Sequence, residues 1–464
     1  MMFASFSTAS THASEATPSF TPATLSYIER HGRKLPTVTQ SHLAPEIDLS
    51  VTVGGIWSPN PFWLASAPPT NTKKQVARAF ERGWGGAVWK TLGDDIENVS
   101  SRYGALHFQE KRIMGLNNIE LISDRTVEEN LADMAWVKTH YPHHTLVASL
   151  MFEEKARWQE VVKACEAIGV DGFELNFGCP HGMCERGMGS VVGQNPELVK
   201  NITGWVREVT SLPILVKLTP NITDITQPAM AAYEGGATGI ALINTVQSII
   251  GVDLDTWSPM PSVGNYEIDP SSGMLVSRPK GTHGGYAGPA VKPIALNKVS
   301  EVAQAFTNHS HAHTMGISGI GGVSNWRDAL EFMLLGSQGV QVCTAVMHHG
   351  FGIVGTMIDG VALYAREKGL SAISELTGKA LPQRTSWEAL DKGYHHIARI
   401  NPETCIGCQK CFHACEDGAH QAILQQLDRP KKVPQVLEEA CVGCNLCMYV
   451  CPVDDCITME SVPA

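Results

Sequence analysis

Residues 212–246 read "LPILVKLTPNITDITQPAMAAYEGGATGIALINTV", and this stretch decides the fold class. It begins with an apolar run at 212–220 and ends with a second one at 239–246. Between them, residues 225–236 carry apolar side chains at a spacing of three and four, the period of a helix with one buried face. The stretch therefore predicts a strand, a helix and a second strand.

The same alternation recurs along most of the chain. Further apolar or β-branched runs predict strands at 61–67, 85–92, 144–151, 171–178, 314–322 and 339–346. Helical periodicity predicts helices at 72–83, 154–169, 196–210, 290–306 and 325–336, and a closing helix at 352–369. About eight strand–helix units over ~300 residues predict an α/β fold of the (β/α)8 TIM barrel type. A doubly wound sheet is the alternative, because alternation alone does not say whether the sheet closes.

A block of cysteines follows the predicted barrel. "CIGCQKCFHAC" (405–415) and "CVGCNLCMYVC" (441–451) both have the spacing C-x2-C-x2-C-x3-C. This is the bacterial ferredoxin spacing for two 4Fe–4S clusters, in which the fourth cysteine of each run binds the other cluster. The predicted ligand sets are Cys405, Cys408, Cys411 and Cys451 for one cluster, and Cys441, Cys444, Cys447 and Cys415 for the other. Zinc is the alternative, although its ligands usually form two separated C-x2-C pairs. Cys456 lies outside the pattern and is interpreted as a structural thiol.

Length and composition bound the domain organisation. The 464 residues exceed what one core usually holds. We expect a flexible N-terminal extension at 1–44, the barrel at 45–370, a connecting arm at 371–395 and a small α+β ferredoxin-like domain at 396–464. The net charge of −11 argues against nucleic acid as a partner. There is no run of about 18 apolar residues and no secretory signal pattern, so we expect a cytoplasmic protein without a membrane partner.

Polar residues and glycines lie at the ends of the predicted strands. They are Ser66, Lys90, Thr91, Asn176, Cys179, Lys217, Asn244, Thr245, Gly321, Gly322 and Thr344. In a closed barrel these ends meet on one face. Gly321 and Gly322 precede a predicted helix, where backbone N–H groups suit a phosphate, although glycines there also serve turns. Together with the cluster motifs they favour a flavin phosphate. The segment 250–285 has no helical period and is interpreted as a lid or a binding element.

Several polar side chains suggest the ligand more closely. Lys217 lies in an apolar strand, where it needs an acceptor such as reduced flavin or a barrel carboxylate. Asn118, Asn176 and Asn244 can each donate and accept, which matches the edge of a cyclic imide, although any one of them could be a turn residue. No strand-linked G-x-G-x-x-G motif is present, so we expect no NAD(P)H site on this chain.

The motifs together carry a family resemblance. "NPFWLASAPPT", "WGGAVWKTLG", "LNNIELIS", "ELNFGCPHGM", "VKLTPN", "GGYAGPAVKPIAL", "GISGIGGV" and the paired cysteine runs resemble the FMN and iron–sulfur catalytic part of dihydropyrimidine dehydrogenase over residues 45–456. Dihydroorotate dehydrogenases share the barrel motifs, whereas "CPHGM" and the fused cysteine module narrow the choice. The chain is similar to a separate bacterial catalytic subunit. That implies a partner subunit carrying FAD and the NAD(P)H site, in a hetero-oligomer built on a homodimer.

The resemblance also implies residue roles. Cys179 would be the catalytic acid, which suits a thiol with an ordinary pKa near ~8.5. Asn118, Asn176, Asn244 and Thr245 would bind the pyrimidine. The FMN site would be lined by Ala65, Ser66, Lys90, Thr91, Lys217, Gly288, Gly321, Gly322, Val323 and Thr344. "ERGMGSVVGQ" (185–194) would be a mobile loop, with Cys184 as a bystander.

The implied reaction is reduction of uracil or thymine. Electrons would pass from the partner through the clusters to FMN, a hydride would go to C6 of the base, and Cys179 would protonate C5. Two alternatives are a dihydroorotate dehydrogenase-like enzyme, which should place a cation near the substrate carboxylate, and a non-catalytic electron-transfer subunit.

Overall fold

A computed structural model describes residues 37–94, 98–108, 111–180, 187–428 and 430–463. The chain forms two compact units that divide between Gln383 and Arg384. The division falls inside the segment that the sequence predicts to be a connecting arm.

The first unit alternates strands and helices. Its strands are β1 (Val51–Val53), β2 (Ile56–Ser58), β3 (Phe62–Leu64), β4 (Gly86–Val88), β5 (Tyr103–Phe108), β6 (Lys111–Asn118), β7 (Thr145–Leu150), β8 (Gly172–Phe177), β9 (Ile214–Leu218), β10 (Gly239–Leu242), β11 (Val246–Ser248), β12 (Gly251–Asp253), β13 (Ser258–Met260), β14 (Ser262–Val263), β15 (Glu267–Ile268), β16 (Leu275–Ser277), β17 (Lys280–Gly281), β18 (Gly284–Ala287), β19 (Gly316–Ile320) and β20 (Gly339–Val342). Its α-helices are α1 (Lys73–Glu81), α2 (Val127–His140), α3 (Lys155–Ala167), α4 (Ser190–Gly193), α5 (Pro196–Arg207), α6 (Thr226–Glu234), α7 (Lys292–Asn308), α8 (Trp326–Leu334), α9 (Thr344–His349) and α10 (Ile353–Glu367).

Eight of these strands close into a parallel barrel in the order β3, β4, β7, β8, β9, β10, β19, β20. The ring closes where Val340 of β20 pairs with Phe62 of β3. All residues of β7, β8 and β9 are buried, because parallel strands are covered on both faces and read as nearly continuous apolar runs. The barrel prediction is confirmed, and the doubly wound alternative is wrong because the sheet has closed.

Helix α2 is the longest helix of the first unit that periodicity did not predict. The short helices α4 and α9 were not predicted either, and α9 begins inside the strand predicted at 339–346. The buried side chains of α2 include Asn130 and Asp133, so the apolar repeat is interrupted by polar residues that face inward. The helix nevertheless begins with a capping box, in which Thr126 and Glu129 satisfy each other's backbone N–H groups. The sequence therefore contained a signal for the start of this helix, the capping box, although its apolar periodicity was weak.

A four-stranded antiparallel sheet adds to the barrel in the order β11, β18, β6, β5. Gly285 of β18 pairs with Asn118 of β6, so the connections after two different barrel strands meet in this sheet. The segment predicted to be helix-free contains only short paired strands, β12 to β17, between β11 and β18.

The second unit is a ferredoxin-like domain with two similar halves. It contains β21 (Tyr394–Ile400), α11 (Lys410–Gly418), β22 (Ile423–Leu424), β23 (Gln435–Val436), α12 (Leu446–Tyr449) and β24 (Ile457–Pro463). Strands β21 and β24 pair in antiparallel fashion. Each helix begins after a left-handed residue within a cysteine run, Gln409 at φ 59° and Asn445 at φ 64°. The sequence repeat is therefore also a repeat of backbone conformation.

Across the described part of the chain, no helix combines the length and the apolar character that crossing a bilayer requires.

Candidate active site and cysteine clusters

A large cavity lies at the C-terminal ends of the barrel strands. It encloses about 1130 Å³ of space between its walls, part of it open to solvent. Every barrel residue predicted for the site lines it: Ala65, Ser66, Lys90, Thr91, Asn118, Asn176, Cys179, Lys217, Asn244, Thr245, Gly288, Gly321, Gly322, Val323 and Thr344. Closure of the barrel therefore brings together residues that are far apart in sequence.

Hydrogen bonds connect the side chains on one wall of the cavity. Asn244 Nδ2 donates to Asn176 Oδ1 over 2.9 Å, and Asn176 Nδ2 donates to Thr91 Oγ1 over 3.0 Å. The hydroxyl of Thr91 also lies 3.0 Å from that of Ser66. In the antiparallel sheet of β11, β18, β6 and β5, Asn118 Nδ2 donates to the carbonyl of Gly285 over 3.1 Å. These contacts fix the orientation of three amides before any ligand arrives.

Cys179 lies at the mouth of β8 and is 6% exposed. It packs in a small apolar cluster with Ile122, Met151 and Met188. The chain returns to it at Gly189, where an added Cβ would lie 2.5 Å from the Cys179 carbonyl oxygen, so only glycine allows this approach. The thiol is thus held in a mostly apolar corner of the cavity. Cys184 and the first part of the predicted mobile loop lie outside the described residues.

Both cavity lysines are paired with buried carboxylates. Lys217 Nζ lies 3.4 Å from Glu174 Oε1, and Lys90 Nζ lies 2.6 Å from Glu120 Oε1. Tyr103 donates to the other oxygen of Glu120 over 2.6 Å. Burial, followed by that hydrogen bond to Glu120, raises the pKa of Tyr103. The barrel carboxylate predicted from the sequence as one possible acceptor for Lys217 is therefore Glu174. Lys217 lines the cavity as well.

The cysteines of the second unit gather around two smaller cavities. One is lined by Cys415, Cys441, Cys444 and Cys447, and the other by Cys405, Cys408, Cys411, Cys451 and Cys456. The structure thus brings the predicted ligands together in the predicted crossed sets. It also places Cys456, which the sequence pattern leaves out, at the cavity of the first set.

The spacing of these thiols bears on the zinc alternative. Within the described residues, no three or more His, Cys, Asp or Glu side chains are grouped closely enough to hold one metal ion. A mononuclear zinc site needs four ligands around a single ion, an arrangement that the described residues do not show. Burial, followed by neighbouring thiols, raises the pKa of both Cys411 and Cys447 to about 11. The uncharged thiol is therefore favoured at these positions, and holding several thiolates together here requires a cation to compensate their charge.

Comparison with known proteins assigns families to both units. The dihydroorotate dehydrogenase family model matches residues 48–363, and the 4Fe-4S dicluster domain model matches residues 398–459. The NAD-dependent dihydropyrimidine dehydrogenase subunit PreA of Escherichia coli (strain K12) is 41% identical over 377 residues, which are 81% of this chain and 87% of that protein. The chloroplastic dihydropyrimidine dehydrogenase (NADP(+)) of Arabidopsis thaliana is 40% identical over 383 residues, which are 81% of this chain and 84% of that protein. The chain belongs to the dihydropyrimidine dehydrogenase family.

The dihydropyrimidine dehydrogenase family overlaps a second group of relatives. The catalytic subunit of dihydroorotate dehydrogenase B (NAD(+)) of Pyrococcus horikoshii is 32% identical over 342 residues, which are 72% of this chain and 98% of that protein. All these relatives are dehydrogenases, so the chain is an oxidoreductase enzyme.

The residues around the cavity fit the flavin that the sequence resemblance implies. Gly322 has φ +80°, and an added Cβ there would lie 3.0 Å from the carbonyl oxygen of Gly288. This leaves a bare backbone turn ahead of α8, as a phosphate site requires. Two buried polar atoms at the cavity, Gln341 Oε1 and the Tyr286 hydroxyl, have no hydrogen-bond partner within the described structure. Unpaired buried polar atoms are costly, and a polar ring would satisfy them.

The second unit likewise fits iron–sulfur clusters. Backbone N–H groups donate to the sulfurs of two predicted ligands: that of Gly407 donates to Cys405 Sγ over 3.4 Å, and that of Ala422 donates to Cys415 Sγ over 3.3 Å. Such N–H···S contacts stabilise the charge on cluster thiolates.

Sequence reasoning missed several cavity residues. Glu120, Tyr103, Tyr286, Gln341 and Cys343 line the cavity but were not predicted. Glu120 stands in "LNNIEL", two residues after a predicted ligand, and could have been found from that motif. Tyr103 gave no signal, because it reaches the cavity only through the pairing of β5 with β6.

Proposed function

We propose that this enzyme reduces the 5,6 double bond of uracil or thymine to the dihydropyrimidine. The observation that carries the proposal is that Cys179 and the linked amides of Asn176 and Asn244 line the same cavity. Donor and acceptor amides of this kind match the alternating edge of a pyrimidine base. The names of the Escherichia coli and Arabidopsis relatives point to the same substrate class.

The residues of this chain divide the work into holding the base and protonating it. Asn118, Asn176, Asn244 and Thr245 would hold the edge of the base, and their N–H donors would stabilise charge that develops on its carbonyl oxygens. Cys179 would deliver a proton to C5. The residues proposed for FMN are Ala65, Ser66, Lys90, Thr91, Lys217, Gly288, Gly321, Gly322, Val323 and Thr344. When bound, reduced FMN supplies the hydride for C6, and two 4Fe–4S clusters supply its electrons one at a time.

The decisive experiment replaces the proton donor. In Cys179→Ala, reoxidation of photoreduced flavin by uracil should slow by ~10²–10⁴-fold, the usual contribution of a general acid. Flavin and iron content should stay at the parent level, because Cys179 belongs to neither proposed cofactor site. The measurement is stopped-flow absorbance of the flavin under anaerobic conditions.

Cys184→Ala is the matched control and should reoxidise at nearly the parent rate. If Cys179→Ala reoxidises as fast as the parent, the proton comes from elsewhere, with Cys184 and Ser190 as the next candidates.

The ion pairs in the cavity favour uracil over orotate as the substrate. Lys90 and Lys217 each pair with a carboxylate, so neither is a lone cation awaiting the carboxylate of orotate. We therefore expect reduction of uracil to be much faster than reduction of orotate. The reverse order would favour a dihydroorotate dehydrogenase-like activity, and a purified protein without flavin would favour an electron-transfer subunit.

We further propose a partner subunit with FAD and an NAD(P)H site. The supporting observations are the missing dinucleotide fingerprint and the relative in Escherichia coli, which is by name a subunit. The purified chain alone should not oxidise NADH or NADPH in an absorbance assay at 340 nm, a wavelength at which reduced nicotinamides absorb. Sustained oxidation by the chain without a partner would contradict the proposal.

A further inference from the structure

His283 contacts the chain directly beyond Cys179. Its Nε2 lies 3.0 Å from the carbonyl oxygen of Pro180, 103 residues away in sequence. A carbonyl oxygen can only accept a hydrogen bond, so Nε2 carries the proton and donates it. His283 immediately precedes β18, the strand whose Tyr286 lines the cavity.

Two hydrogen bonds next to Cys179 are local. The backbone N–H of Gly178 donates to Asn176 Oδ1 over 3.2 Å, and the backbone N–H of Ser190 donates to the Cys179 carbonyl over 2.9 Å. Both donors belong to the connection that follows β8. His283 is different because it comes from the sheet formed by β11, β18, β6 and β5.

That sheet also carries a proposed substrate ligand. Asn118 lies on β6 directly opposite Gly285, and its amide donates to the Gly285 carbonyl. Gly285 is two residues from His283 in the same stretch of chain. One short segment therefore bonds both to the amide that would hold the base and to the peptide that follows the proton donor.

We propose that His283 is a positioning residue that fixes the thiol of Cys179 relative to the bound base. This inference rests on the proposed function of Cys179 as the acid. His283 acts through the Pro180 carbonyl and does not line the cavity. The rate of proton transfer depends steeply on the placement of the reacting atoms. The hydrogen bond from His283 next to Cys179 should therefore affect the rate of proton transfer more than the affinity for the base.

The test compares His283→Ala with His283→Gln in the complete protein with its cofactors. His283→Ala should lower kcat for uracil roughly 10-fold, as loss of one hydrogen bond that acts on the transition state would do. KM should stay unchanged because the amides still bind the base. The Gln side chain retains an N–H donor, so His283→Gln should recover most of kcat.

The second readout does not depend on turnover. The rate at which iodoacetamide alkylates Cys179, followed by mass spectrometry of its peptide, should rise several-fold in His283→Ala and much less in His283→Gln. His313→Ala is the control, because His313 also contacts a backbone carbonyl, that of Ser310, over 3.0 Å at an exposed site. It should change neither quantity.

Two results would overturn the proposal: unchanged kcat and unchanged alkylation in His283→Ala, or an equal loss in His283→Gln and His283→Ala with a matching fall in Tm. A parent protein that does not reduce uracil would refute the proposed function instead, while the alkylation rates would still report on His283.

Discussion

The barrel and the cysteine module draw their stability from different sources. The barrel buries apolar side chains on every strand, and it also buries the large side chains of Trp63, Trp84, Trp89 and Trp158. In the module, five of the nine buried core residues are cysteines, and the others are two alanines and two isoleucines. Small domains with so little apolar surface usually need a metal or disulfide to stay folded. The comparison suggests that the barrel folds through its own core, whereas the module folds through its clusters.

The strongest test of this difference is removal of a cluster ligand. Cys411→Ala should lose about half of the iron and much of the module's structure, because cluster binding supplies folding free energy. Flavin content and the barrel should be unaffected. Iron analysis together with hydrogen exchange, comparing β21 and β24 with β7, measures both effects.

Cys456→Ala is the matched control, since Cys456 lines the same cavity but stands outside the ligand pattern. It should keep the parent iron content. An equal loss of protection in barrel and module after Cys411→Ala would break the comparison.

The barrel should instead be sensitive to the charges in its core. Lys217→Met would leave Glu174 as an uncompensated charge, and Glu174 is fully buried. Breaking such a pair costs about 3–5 kcal/mol, and flavin content should fall as well. Denaturant unfolding and flavin absorbance measure the two effects.

The double variant Lys217→Met/Glu174→Gln should regain most of the stability without regaining flavin. Lys200→Met removes an exposed pair with Glu234 and should cost at most about 1 kcal/mol. A similar cost for Lys200→Met and Lys217→Met would show that burial of the pair has no effect.

Acid should weaken the barrel through one buried histidine. His144 stacks on Phe80 with ring centroids 4.3 Å apart, and burial, followed by the charges of His143 and Lys138, lowers the pKa of His144 from 6.5 to about 4. The folded protein holds the ring neutral, so this stability is present above pH 6.5 and is lost as the unfolded chain takes up the proton between pH 6.5 and 4. The loss should reach about 3 kcal/mol.

His144→Phe keeps the stacking and removes the proton, so it should flatten the dependence of the free energy of unfolding on pH in that interval. A slope identical to that of the parent would assign the acid sensitivity to other groups.

The smallest expected effect is at the start of α2. Thr126→Ala removes the N-cap oxygen that accepts from the backbone of Glu129 and should cost about 1 kcal/mol. The decrease should appear in thermal unfolding of the barrel and leave the module's iron unchanged. Thr139→Ala, on an exposed turn of the same helix, should change stability by no more than about 0.5 kcal/mol. Equal effects of the two substitutions would show that the Thr126 cap does not stabilise α2.

The barrel strands and the cysteine runs were readable because their signals are local. A buried parallel strand is an apolar run wherever it stands, and 171–178 and 212–220 read that way before any partner is known. Cluster ligation also fixes short spacings, since three of each four cysteines must reach one cluster from a single turn of chain. The polar residues at strand ends were readable for a related reason, because barrel closure always brings those ends to one face.

The tertiary structure alone decided which charges pair and which distant segments touch. Nothing in the sequence joins Lys217 to Glu174 or Lys90 to Glu120. The first pair is set by the register of β8 and β9 in the closed ring, and the second by where the chain lies after β6. Tyr103 reaches the cavity, and His283 reaches the Pro180 carbonyl, only through the sheet formed by β11, β18, β6 and β5. The sequence by itself thus determined the two folds, the grouping of the cysteines and most of the polar residues that line the cavity. Register and closure decided the partners of those residues, because hydrogen bonds and ion pairs depend on ångström-scale distances that periodicity does not encode.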